Sequence, residues 1–113
     1  MAKLLTSAEE LTRILDEAGE KLVILDFFAT WCAPCKIMAP VLDEMAPDDA
    51  ALVILKVDIN QLEELAEEYG ISAMPTFVFL RNKKILGTYV GANVTKFKET
   101  IELYKAGAMA KGK

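Results

Sequence analysis

Between Leu22 and Phe28 the chain carries an almost unbroken apolar run, rich in branched and aromatic side chains. Strands that are apolar at every position, rather than at alternate ones, are covered on both faces. The run therefore predicts a central strand with helices above and below it. Leu52 to Val57 is a second run of this kind and predicts a buried neighbour. Asp26 is the one interruption of the first run, and a carboxylate there is costly unless it is paired or neutral.

The remaining elements follow from spacing and caps. Ser7 with Glu10 three residues later has the form of a capping box, and Leu11, Ile14, Leu15 and Ala18 then repeat at helical spacing up to Gly19. Proline suits a first helical turn, so a second helix is expected to begin around Cys32 to Pro34, to kink at Pro40 and to end near Pro47. Asn60 is the expected cap of a third helix with an apolar stripe of Leu62, Leu65, Ala66 and Tyr69, closed by Gly70. Thr76 to Leu80 and Ile85 to Val90 flank the polar turn Arg81 to Lys84 and read as an antiparallel hairpin. Asn93 is placed to cap a last helix with Val94, Phe97, Ile101 and Tyr104 facing inward, and the tail of residues 106–113 is expected to fray. Helix and strand alternate before a final hairpin and helix, which predicts the α/β class with one mixed sheet between helices. No repeat or linker divides the 113 residues, so a single domain spanning 1–113 is expected.

Composition narrows the function. A chain that is 53% hydrophobic and 27% charged has enough apolar mass for a core without covalent staples. Its formal net charge of -4 disfavours nucleic acid and anionic membrane surfaces as partners. Lys3, Leu4 and Leu5 are soon followed by Glu9, Glu10 and Arg13, which leaves no room for a secretory signal, and no stretch is long enough to span a membrane. In the reducing cytosol that this implies, a close cysteine pair is more readily catalytic or metal-binding than a permanent crosslink.

The chemistry concentrates in Trp31-Cys32-Ala33-Pro34-Cys35-Lys36, directly after a central strand and at a helix start. Unpaired backbone N–H groups and the positive end of the helix dipole stabilise a thiolate at Cys32, and the thiolate is the attacking species. Two intervening residues bring both sulfurs within bonding reach, so Cys35 can attack a mixed disulfide formed at Cys32 and release a reduced substrate. Pro34 restricts the turn, and Trp31 offers an apolar contact for substrate. Zinc wants about four ligands. With no histidine and no third cysteine, only a site shared between two copies would supply them.

Desolvation is expected to raise the pKa of Asp26, which suits it to take a proton from Cys35 directly or through one water. Lys56, at a similar place in the neighbouring run, is either its partner or a snorkelling surface lysine, and the residues alone favour neither. Met74-Pro75 leads into the hairpin, and composition alone gives no reason to expect a cis bond there.

Taken together, Val23 to Lys36 (VILDFFATWCAPCK), Leu55 to Asp58 (LKVD), Met74 to Phe77 (MPTF) and Gly91 to Asn93 (GAN) resemble the thioredoxin family in order and spacing, most nearly its small eukaryotic cytosolic kind. The resemblance implies a central five-stranded mixed sheet in the order 1-3-2-4-5 with two helices on each face. It further implies a cis bond before Pro75, with the Met74 backbone left free to pair with an extended substrate strand. A substrate surface of Trp31, Ala33, Pro34, Met74, Pro75, Gly91 and Ala92 follows by the same resemblance. So do a buried acid at Asp26 behind Cys35 and a buried lysine at Lys56.

No bound cofactor is implied; electrons would come from NADPH through thioredoxin reductase. The clients implied are peroxiredoxins, methionine sulfoxide reductases, ribonucleotide reductase and oxidised regulatory proteins. A monomer in the cytoplasm, with the nucleus as a further compartment, is the corresponding expectation. Ala33 departs from the usual glycine between the cysteines, and Phe28 from a second tryptophan. Position 73 is alanine, which removes one route to crosslinked dimers. Two alternatives share the surface: a disulfide-forming protein, whose relatives carry histidine where Pro34 stands, and a redox-independent partner protein that binds through Trp31 and Met74.

Overall fold

The computed structural model describes residues 2–45 and 50–107. Among them the elements run β1 (Lys3–Leu4), α1 (Ala8–Ala18), β2 (Leu22–Phe28), α2 (Ala33–Met45), β3 (Leu52–Asp58), α3 (Glu63–Glu68), β4 (Thr76–Arg81), β5 (Lys84–Val90) and α4 (Val94–Lys105). The sheet order is β1-β3-β2-β4-β5. β3 is parallel to both β1 and β2, while β4 is antiparallel to β2 and to β5.

Side chains alternate across a strand, and that alternation assigns each helix its layer. Leu22 and Ile24 of β2, with Leu52 and Ile54 of β3 and Phe77 and Phe79 of β4, meet Met38 and Leu42 of α2 and Phe97, Ile101 and Tyr104 of α4. Val23, Leu25 and Phe27 point the other way, with Leu55, Val57, Val78 and Leu80, onto Leu11 of α1 and Leu65 of α3. Two helices thus cover each face. Each such side chain, fully buried, contributes about 1.5–3 kcal/mol of hydrophobic transfer. Asp26 shares the parity of Leu22 and Ile24, so it faces the α2 and α4 layer. It lies in register with Lys56 on one side and Phe77 on the other.

Local chemistry sets the ends. The Ser7 hydroxyl accepts the Glu10 N–H at 3.0 Å, one half of a capping box. The returning Glu10 carboxylate accepts from the Thr6 N–H at 2.8 Å rather than from Ser7, and pairs with Lys3 at 3.0 Å. Those contacts, the Thr6 N–H first, hold its pKa below the ordinary value. Asn93 caps α4 by accepting the Lys96 N–H at 3.0 Å. At the other end of α4, Ala106 and Gly107 donate to Glu102 and Tyr104 carbonyls; residues 108–113 lie outside the described residues, as does Pro47.

Three expectations need correction. Asn60 does not cap α3: Asp58 organises that turn, its side chain accepting the Asn60 N–H at 2.9 Å and its carbonyl the N–H groups of Gln61 and Leu62. α3 starts only at Glu63, with no side-chain cap. The hairpin turn is two residues, not four, since Arg81 and Lys84 pair in register and Asn82 and Lys83 take φ of 53° and 66°. Such a pair of positive φ values matches the twist of the flanking strands. Lys83 is held by an ion pair with Asp16. β1 also escaped the reading of the residues, although the five strands implied by the resemblance include it.

Candidate active site

The strand β2 ends at Phe28 and α2 begins at Ala33, so the intervening turn delivers Cys32 to the position just before the first helical residue. The Ala29 carbonyl accepts the Cys32 N–H at 3.2 Å and tightens that turn. Cys32 then acts as a helix cap does: its Sγ accepts the Cys35 N–H at 3.1 Å. A serine or aspartate oxygen normally fills this place. Pro34 has no N–H to compete, so the amide that reaches the sulfur is that of Cys35. The two cysteines form a disulfide, with Cα atoms 5.3 Å apart. Both are buried, together with Ala29, and Phe28, Ile59 and Met74 pack around them.

Behind Cys35 lies a cleft of about 240 Å³, lined by Asp26, Phe28, Ala29, Thr30, Cys35, Lys36, Ala39 and Lys56. Asp26 is 3% exposed, and its Oδ1 has no hydrogen-bond partner among the described residues. Burial pushes its pKa up to about 7; Lys56 opposes the rise and Asp43 adds to it. Lys56 answers both readings of the sequence in part. It is half-buried beside Asp26 and acts on it electrostatically, yet its Nζ sits 5.0 Å above the centre of the Phe28 ring. A cation over an aromatic face is attracted by the ring quadrupole.

The other expected residues come from three segments of the chain. Trp31 is 66% exposed on the turn, and Ala33 and Pro34 are exposed in the first turn of α2. The Met74-Pro75 bond is cis. Met74 touches the cysteine cluster, whereas the buried Pro75 uses its carbonyl to accept the Gly91 N–H at 3.2 Å. Ala92 is half-buried against the α2 and α4 layer. Ile59, Thr30 and Ala39 were not foreseen, because a small or apolar residue in a turn or helix carries no mark of the cavity it will line. Among the described residues no group of three or more acidic, histidine or cysteine side chains is arranged to hold a metal ion. No helix among them is long and apolar enough to cross a membrane.

The thioredoxin family profile matches residues 3–103. Thioredoxin 1 of Plasmodium falciparum is 40% identical over 106 residues, which cover 94% of this chain and all of that protein. Thioredoxin-T of Drosophila melanogaster is 42% identical over 95 residues, covering 83% of this chain and 60% of that longer protein. The X-ray structure of Fasciola hepatica thioredoxin superposes with a TM-score of 0.85 at 40% identity, covering 88% of this chain and 96% of that one.

Proposed function

As the chain belongs to the thioredoxin family and is a dithiol–disulfide oxidoreductase, we propose that Cys32 is its nucleophile and Cys35 its resolving thiol. The observation that carries this is the Cys35 N–H directed at the Cys32 Sγ, at the N-terminus of α2. A negative charge on that sulfur is stabilised by the same amide and by the helix dipole. In the reduced protein the Cys32 thiolate attacks a client disulfide; one client sulfur leaves as thiolate and takes up a proton, and a mixed disulfide forms. Asp26 accepts the Cys35 proton across the cleft, the Cys35 sulfur attacks Cys32, and the second client sulfur departs and is protonated. Two electrons pass to the client, and the Cys32–Cys35 disulfide remains.

Lys56 lowers the pKa of Asp26 and so keeps part of it ionised to accept that proton. Trp31, Ala33, Pro34, Met74, Pro75, Gly91 and Ala92 form the client surface. An extended client segment pairs with the Met74 backbone, a mode in which main-chain bonds give affinity and neighbouring side chains specificity. The protein works as a single-domain monomer in the cytoplasm and nucleus, with no cofactor of its own. NADPH reduces it through thioredoxin reductase, and its clients are peroxiredoxins, methionine sulfoxide reductases and ribonucleotide reductase.

The test is equilibration in graded glutathione buffers with thiol trapping, where about 30 mV corresponds to a tenfold change in equilibrium constant for this two-electron couple. A midpoint well to the reducing side of glutathione supports the reductase. An oxidising midpoint would make the protein a disulfide donor, and the absence of any reversible pair would leave only a binding role. Cys35→Ser should accumulate a mixed disulfide with an oxidised client through Cys32, and Cys32→Ser should not.

A further inference from the structure

Residues 91–93 leave β5 and enter α4, and this short connection is held by one side chain. Tyr89 of β5 stacks on Phe77, with ring centres 6.2 Å apart and planes at 17°, and lies 6.3 Å from Phe97. Both of those phenylalanines are fully buried. The ring therefore rests on a rigid floor, which fixes where its hydroxyl stands. That hydroxyl accepts the Asn93 N–H at 3.1 Å and donates to the Asn93 carbonyl at 3.5 Å.

Gly91 passes directly over the phenol at φ +137°, where a Cβ would meet the Tyr89 Oη at 3.1 Å. Both the left-handed backbone and the missing side chain are needed for this approach. Gly91 in turn donates its N–H to Pro75, while the Asn93 side chain is already engaged in capping α4. The link from Tyr89 to Asn93, Gly91 and Pro75 is thus continuous, and it ends at the residue next to Met74.

We propose that Tyr89 is a positioning residue for protein clients: its hydroxyl fixes the path of residues 91–93 and so aligns Gly91 and Ala92 with the Met74-Pro75 edge. It touches neither sulfur nor the cleft behind Cys35, so its effect falls on client docking and spares the thiol chemistry. This inference rests on the client surface proposed above, and the experiment separates the two.

Reduced protein is mixed in stopped flow with insulin, as an extended protein disulfide, and with bis(2-hydroxyethyl) disulfide, which is too small to span the edge. Fluorescence of the single tryptophan reports oxidation. Tyr89→Phe keeps the stacked ring and removes the hydroxyl. The expected result is a half-saturating insulin concentration raised about 3- to 10-fold, the span one net hydrogen bond supports. The limiting rate and the reaction with the small disulfide stay unchanged, and exchange of the Asn93 amide hydrogen accelerates. An unchanged half-saturation, or equal slowing of both substrates, overturns the role of Tyr89. Ala92→Glu is the control: if it weakens insulin binding while Tyr89→Phe does not, the surface stands and only the positioning role falls. If neither variant changes insulin binding, both fall.

Discussion

Replacing Asp26 with asparagine keeps the shape of the buried group and removes its ability to ionise. The wild-type carboxyl is raised from 3.8 to about 7 on folding, chiefly by burial. The folded state therefore holds a proton that the unfolded chain releases once the pH passes about 4. Stability contributed by the protonated acid is fully present below pH 3.8 and is lost as pH rises through about 7. At ~1.4 kcal/mol for each tenfold change, the difference in proton affinity amounts to roughly 4 kcal/mol. Asp26→Asn is expected to be more stable than wild type by about this amount at pH 8 to 9, the excess shrinking toward zero near pH 4. Urea unfolding of the oxidised proteins across that range measures it. A stability difference that stays constant with pH, or a variant weaker than wild type at pH 8, would falsify the burial argument. In the reduced protein the same substitution should slow release from the mixed disulfide, since Cys35 loses its proton acceptor.

Three further outcomes follow from named contacts. Lys56→Met removes the cation that opposes the rise at Asp26, so its pKa should move above about 7; carboxyl carbon NMR titration would show the midpoint shifted to higher pH, and a shift to lower pH would sink the assignment. Arg81 donates to the Tyr104 carbonyl at 2.8 Å and to the Glu20 carbonyl at 3.3 Å, binding the end of α4 to the turn after α1. Arg81→Ala is expected to cost about 1–3 kcal/mol in urea unfolding with insulin reduction unchanged, and a loss of turnover at full stability would contradict a purely structural role. Ser7→Ala should lower stability by about 1 kcal/mol through the lost α1 cap, an effect that Ser7→Asp should reverse.

The sequence was most legible where one residue's surroundings follow from its neighbours along the chain. Leu22 to Phe28 is β2 to the residue, because a strand apolar at every position has few other places to go. The caps Ser7 and Asn93 also stood out, since each acts on an amide three positions ahead. Legibility failed where the partner is remote or the backbone departs from habit. The two residues of β1 are a strand only because Leu55 and Lys56 lie beside them. Asn60 has the composition of a cap, but Asp58 had already taken the neighbouring amides. Asn82 tolerates positive φ, but nothing in Lys83 announces a second such residue beside it. At the site Asp26 was marked by a charge out of place in an apolar run, and the cysteines by their spacing at a helix start. Ile59 and Tyr89 carried no mark in the sequence, and their roles came from what the fold sets against them.

The alternation along β2 has an evolutionary consequence. It places Asp26 and α2 on one side of a sheet whose backbone separates them from the layer of Leu11, Leu65 and Phe27. Sites far apart and without shared partners respond to substitution independently. Ile59 packs on both that layer and the cysteine cluster, but the rest of the α1 and α3 side can drift, or be redesigned for heat or solvent, with little reaching the carboxyl group behind the sulfurs. A lineage can retune how long the molecule survives without renegotiating which disulfides it reduces.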